Sequence, residues 1–360
     1  MIFVFLFALV LEILLKNGLW DNYIKPQSYL GNAVYRQKAI NEFGLENIHW
    51  ITVGDSRFDW GLEHGKILNR QKLNGLNHLR MSFESSNFMA IQATIDWSMA
   101  HMPNLQGIML GVSEDSFGHY SNVTNQYSVA WSYKDYFNYK KYKYFSDWFQ
   151  YFSLISRTAL YVFYNDINDL FRHLFSRSKH KSLYLRNGHQ KIFNFNRNMT
   201  GDICDYSLAS LTQCIKTAQK IKLREIKLSN TEKFITNICS THFIKRSLKN
   251  NQRMSKNMSQ MIENNWQQLF QGVIEQKIKL KVVVLPEHTM FSYVIKPVNT
   301  NEVLNAVFKK FSNNKYFEVL DISDIFNTNK PLRECTYYKD PLHFNNNGKS
   351  HITQIITNSF

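Results

Sequence analysis

A chain of 360 residues that is 44% apolar and 15% aromatic can bury a full core, which excludes a disordered chain and leaves room for one large domain or two small ones. Its 43 Lys and Arg against 28 Asp and Glu leave a formal charge of +15. That field either favours anionic partners such as acidic glycans, anionic lipid headgroups or nucleic acid, or serves solubility alone.

Residues 1–15 are apolar apart from Glu12. A spanning helix wants about 20 apolar residues, so this stretch is short. It has no basic leading segment and no small-x-small cleavage site. Residues 1–20 therefore read as an uncleaved hydrophobic anchor, with an interfacial or buried helix of a soluble protein as the other reading. Five apolar runs then predict buried parallel strands, at 48–53, 77–81, 107–111, 280–285 and 316–321. Amphipathic helices are predicted over 88–100 and 254–274, with another around 303–308 and a last one after Gly348. Strands alternating with helices imply an α/β fold with a parallel sheet and right-handed crossovers. Between the third and fourth strands lies a long insertion, roughly 116–250. Its first half is dense in aromatics from Tyr133 to Phe152, interleaved with Lys134, Lys140, Lys141 and Lys143. Such a segment fits sugar-ring stacking, a membrane interface, nucleic acid on composition alone, or a helical cap with its rings turned inward.

Cys204, Cys214, Cys239 and Cys335 form no C-x-x-C pair, and no histidine cluster stands beside them at zinc spacing. Cys204 can bridge Cys214 in an oxidising compartment, with Cys239 as another candidate, or all remain buried thiols. Gly348-Lys349-Ser350 is not a phosphate loop, because position 343 is His where that motif needs glycine. His288 lies beyond the fourth strand and reads as a pocket-lining or loop histidine.

Two motifs at opposite ends of the chain carry chemistry. Gly54-Asp55-Ser56-Arg57 directly follows the first apolar run and precedes Phe58-x-x-Gly61. A serine at a strand-to-helix turn is exposed to a base, and the amides of Ser56 and Arg57, near a positive helix end, can stabilise an oxyanion. Asp340-Pro341-Leu342-His343 stands near the end, followed by Phe344-Asn345-Asn346-Asn347-Gly348. An Asp three residues before a His can orient its imidazole, which can take the serine proton. A helix cap at Ser56 and surface-loop residues at 340–343 are the bland alternatives.

This pairing resembles the SGNH, or GDSL-like, hydrolase superfamily, over roughly residues 45–115 and 255–360. The resemblance implies a three-layer, flavodoxin-like fold around a parallel five-stranded sheet, spanning 45–360 and interrupted by a large, mostly helical insertion at 116–250. It implies a triad of Ser56, His343 and Asp340 and needs no metal and no cofactor. The middle of the chain departs from the pattern. Family members place a Gly after the second strand and an Asn after the third; here those stretches read Ser82-Phe83-Glu84-Ser85-Ser86 and Gly111-Val112-Ser113-Glu114-Asp115. The backbone around Ser82 and Ser85 and the Ser113 hydroxyl are then the candidate oxyanion donors beside Arg57. Losing one such donor costs about 10²–10³ in turnover.

The chain looks most like the anchored branch that includes the teichoic acid D-alanyl-transfer protein and the alginate acetylation proteins. That likeness implies an acyl-ester hydrolase or O-acyltransferase acting on a cell-envelope polysaccharide. It implies a membrane-anchored, extracytoplasmic location, an acyl donor, a membrane-bound acyltransferase as a candidate partner, and no nucleic acid. The contrasting expectation is a catalytically degenerate relative that binds glycan or assists polysaccharide assembly. A lipid-directed lipase is a further, weaker reading, suggested by the aromatic insertion alone.

Overall fold

The computed structural model describes residues 2–16, 40, 43–73, 75–82, 88–117, 254–287, 299–326, 335–339 and 343–359. In chain order these form α1 (Ile2–Lys16), β1 (Trp50–Val53), α2 (Ser56–Trp60), α3 (His64–Leu73), β2 (His78–Arg80), α4 (Phe88–His101) and β3 (Gly107–Val112). Then follow α5 (Lys256–Glu275), β4 (Lys279–Val284), α6 (Thr300–Phe311), β5 (Phe317–Asp321) and α7 (Asn346–Asn358). The expected insertion at 116–250, with Cys204, Cys214 and Cys239, lies outside the described residues beyond Phe117. The chain divides into two compact units, one of 1–49, 85–105 and 121–195, the other of 50–84, 106–120 and 196–360.

In the first unit, α1 turns apolar side chains outward around its length: Phe3 is 86% exposed, and Phe5 and Phe7 are each 70% exposed. Among the described residues no helix is long and apolar enough to cross a membrane. The one-sided burial expected at 88–100 gives way to burial on nearly every face of α4, from Phe88 through Ile91, Gln92, Thr94 and Ile95 to Ser98. The helix tolerates this because its hydroxyls bond to its own backbone. Thr94 donates to the Ala90 carbonyl at 2.7 Å and Ser98 to that of Thr94 at 2.8 Å.

The second unit holds a five-stranded, all-parallel sheet in the order β2-β1-β3-β4-β5, an α/β fold. All residues of β1 and β3 are buried, as are those of β4 after Lys279. That is why their sequences run apolar without alternation. Of the two edge strands, β2 is buried throughout, whereas β5 is only partly buried or exposed beyond Phe317. From β1 the chain moves outward to β2, then returns past β1 to β3 and continues the other way. Connections leaving β1 and β3 therefore diverge, and a crevice opens at the carboxyl end of adjacent strands that do this.

Two glycines of β3 make room for rings. A Cβ at Gly107 would fall 2.4 Å from the Trp50 indole, and one at Gly111 would fall 2.0 Å from Phe58. On one side of the sheet Trp266 and Phe270 of α5, Phe308 and Phe311 of α6, Phe117 and Phe317 form a cluster of stacked and edge-on rings. On the other, Phe58, Met109, Val283, Leu285, Phe326, Tyr338, Phe344, Ile352 and Ile356 make one core. Its apolar spacing is what seats α7 on the sheet.

Lys281 breaks the apolar run of β4 yet is only 1% exposed. Its Nζ donates to the Ser359 carbonyl at 2.6 Å, at the carboxyl end of α7, where a cation is favourable. It also pairs at 2.9 Å with Glu318, its register partner on β5, which Lys279 reaches at 3.0 Å. Burial pushes the Glu318 carboxyl up, but the hydrogen bonds and charges of the two lysines outweigh it and hold it below its ordinary value.

Candidate active site

Ser56 sits where β1 ends. After Val53, Gly54 turns the chain and Asp55 caps α2, its Oδ1 accepting from the Arg57 amide at 2.9 Å and the Phe58 amide at 3.4 Å. An Asp at this position satisfies amides that a helix start otherwise orphans. The buried Phe58 ring lies over Gly54 and Gly111, which locks the turn onto the sheet. Ser56 is thus the first residue of α2, half-buried, at the carboxyl end of β1.

His343 arrives from the other end of the chain on a short hairpin. Tyr338 and Phe344 form an antiparallel bridge, and the Lys339 amide donates to the His343 carbonyl at 2.9 Å. Tyr338 and Phe344 are buried in the core described above and anchor the hairpin to it. Asn345 then does two things. Its Oδ1 accepts from the Asn347 and Gly348 amides at 3.0 and 3.1 Å, capping α7, and its Nδ2 donates to the Thr336 carbonyl at 2.8 Å.

The two segments meet side chain to side chain. Ser56 Oγ lies 3.0 Å from His343 Nε2, across 287 positions of sequence. That is hydrogen-bond reach, the distance at which an imidazole can take a hydroxyl proton. The imidazole is also stacked on the Trp60 indole, with centroids 4.4 Å apart and planes inclined by 29°. Asp340, Ser85 and His288 lie outside the described residues.

Charged groups crowd the base of the turn. Arg57 is buried and clamps Asp55 Oδ2 with Nε at 2.9 Å and Nη2 at 2.6 Å, while Nη1 reaches Glu287 Oε1 at 3.4 Å. Glu287 follows β4, so this guanidinium joins the β1 turn to the loop beyond β4. Asp59, 1% exposed, receives both Nε and Nη2 of Arg80 from the end of β2, at 2.5 and 2.7 Å. A two-point guanidinium pair of this kind fixes orientation as well as charge. His64 donates to the Asp59 carbonyl at 3.0 Å. Behind β1, Thr52 hydrogen-bonds His78, whose imidazole is pushed down to about 3, by burial first and by His64 second.

The remaining oxyanion candidates have neighbours of their own. The Ser82 hydroxyl donates to the Thr52 carbonyl at 3.3 Å. The Ser113 amide donates to Ser116 Oγ at 3.1 Å, and the two hydroxyls lie 3.4 Å apart. Trp60, Glu287 and the Asp59–Arg80 pair escaped the sequence reading. Trp60 had a signal, its spacing of four from Ser56, usable once 56–60 is recognised as helical. Glu287 and Arg80 had none, because only the sheet order brings them to this turn. Comparison with protein-family models and with curated proteins gives no match.

Proposed function

We propose that this protein is an SGNH-like acyl-ester hydrolase or O-acyltransferase with Ser56 as nucleophile and His343 as base. What supports the reading above all is the 3.0 Å approach of Ser56 Oγ to His343 Nε2 at the carboxyl end of β1. The strand order β2-β1-β3-β4-β5 agrees with a flavodoxin-like arrangement, in which ligands bind where the order reverses, and Ser56 follows β1 at that reversal.

In the proposed reaction the Ser56 proton passes to His343 Nε2 as Oγ bonds to the acyl carbonyl carbon. The imidazolium returns that proton to the departing alcohol, leaving an acyl-serine. Water or a sugar hydroxyl then takes the acyl group, its own proton going to His343. Asp340 is the proposed orienter of the imidazole. With the Arg57 amide engaged by the Asp55 cap, the Ser56 amide is the better oxyanion donor at the turn. The substrate we propose is a cell-envelope polysaccharide, with α1 as a membrane anchor that leaves the rest of the chain extracytoplasmic. A membrane-bound acyltransferase is a fitting source of the acyl group.

The engagement of the Ser113 hydroxyl with that of Ser116 favours a second reading, a relative that has lost turnover and binds glycan instead. A fluorophosphonate probe separates the two. Wild type should be labelled at Ser56 and His343→Ala should not; an intact wild type that takes no label favours the binding role.

A further inference from the structure

We infer that Trp60 is a positioning residue for His343, holding the imidazole plane so that Nε2 stays on Ser56 Oγ; this rests on the acyl-transfer reading above. Ser56 and Trp60 are the first and last residues of α2. Residues four apart on a helix lie one above the other on one face, and helical side chains lean back toward the amino end. The same short turn therefore touches His343 twice, through the Ser56 hydroxyl at 3.0 Å and the Trp60 indole at 4.4 Å between ring centroids.

The backbone is shaped to let this happen. A Cβ at Gly61 would fall 2.1 Å from the Arg57 carbonyl oxygen and 2.8 Å from the Phe344 ring. With no side chain there, Phe344 closes on the end of α2, and its neighbour His343 is brought over Trp60. The hairpin fixes the backbone of His343 through the bond from the Lys339 amide to its carbonyl. It leaves rotation of the ring to be set by what the ring touches, and Ser56 and Trp60 are two of those contacts.

The contact has a chemical consequence. When the Ser56 proton moves to Nε2, the imidazole becomes a cation lying against an indole face, the most favourable aromatic partner for one. The indole gains and loses no proton and forms no bond. Its part is to keep the acceptor aligned before transfer and to favour the charged ring after it.

The test compares Trp60→Leu, which keeps an apolar side chain without a π-face, with Trp60→Phe, which keeps a smaller ring. Imidazole proton resonances are recorded on histidine-labelled protein, with His343 assigned by its loss in His343→Ala. In wild type the His343 resonance should be shifted upfield by the indole ring current. It should move downfield in Trp60→Leu and stay partly shifted in Trp60→Phe. With a chromogenic acetyl ester, kcat in Trp60→Leu should fall about 10- to 100-fold with KM nearly unchanged, the scale on which misplaced reacting groups lose rate. Trp60→Phe should recover most of that loss. A Trp60→Leu protein that turns over like wild type, a Trp60→Phe protein as slow as Trp60→Leu, or a resonance that does not move overturns the positioning role. A wild type that hydrolyses no ester while the resonance does move overturns the acyl-transfer reading and upholds Trp60 as the residue that sets the ring of His343.

Discussion

The proposed nucleophile and the proposed base are held in different ways. Ser56 is fixed by backbone and charge: a side-chain cap, a buried ring over two glycines, and a guanidinium clamp on the capping Asp. His343 is fixed by a hairpin bridged at Tyr338 and Phe344, by a capping Asn behind it, and by an indole beside it. The first half is built mainly from residues 54–58 and is held to the sheet where Phe58 meets Gly111. The second is tied to the core through two aromatic anchors, and it reaches the first only because α7 packs on the same face. A site assembled so depends on two separate local structures, each of which can be disturbed alone.

The largest effect should come from the atoms where the halves touch. Ser56→Ala and His343→Ala should each lower ester turnover by about 10³-fold or more, and the double variant should be no worse than either. Groups that act as one unit lose everything once, whereas independent groups lose in proportion. Steady-state rates on the three variants decide it, and losses that multiply would mean that Ser56 and His343 do not work as a couple.

Acid should separate the halves next. His78 lies behind the Ser56 strand, and its folded value of about 3 stands below the 6.5 of an unperturbed histidine. The unfolded chain thus binds this proton more readily, so stability is fully present above pH 6.5 and is lost as the pH falls from 6.5 toward 3. At about 1.4 kcal/mol per unit, the step from pH 6.5 to 5 costs about 2 kcal/mol from this group. Urea midpoints at pH 7 and pH 5 should show that loss in wild type, and replacing the pair together (Thr52→Val with His78→Leu) should remove it. Hydrogen exchange at pH 5 should quicken first at β1 and β2 rather than at 335–345. Equal quickening in both places would mean that the two halves open as one.

Much of this frame was legible in the sequence, for physical reasons that differ by element. The strands of the sheet were found to within a residue or two, and β1, β3 and β4 most plainly, because strands buried along their length read as nearly unbroken apolar runs. The helices α5, α6 and α7 carry one apolar stripe each and were equally plain. The polar α3 was missed: His64, Lys66, Asn69, Arg70, Gln71 and Lys72 leave only Ile67 and two leucines to mark a face. At the site, Ser56 was singled out by its place at a strand-to-helix turn and His343 by the Asp three residues before it, and the structure brings their side chains to 3.0 Å. The partnership of Arg57 with Glu287, and of Asp59 with Arg80, was not, since each joins elements that only the sheet order makes neighbours.

The finest comparison, the difference between Asn345→Ala and Asn345→Asp, should distinguish the two caps. Asp55→Ala removes a cap worth about 1 kcal/mol and also the carboxylate that Arg57 Nε and Nη2 both reach, which adds about 1–3 kcal/mol for the buried hydrogen bonds lost. Asn345→Ala removes a cap of similar worth and the tie to the Thr336 carbonyl, with no buried charge exposed. Thermal or urea unfolding should therefore rank Asp55→Ala below Asn345→Ala. The useful variant is Asn345→Asp, which still accepts from the Asn347 and Gly348 amides but cannot donate to Thr336. If the cap is what matters at this position, Asn345→Asp recovers both stability and turnover. If the tie to Thr336 is what sets His343, stability returns while kcat stays low and KM does not change, because the hairpin, rather than the helix it leads into, then carries the imidazole to the serine.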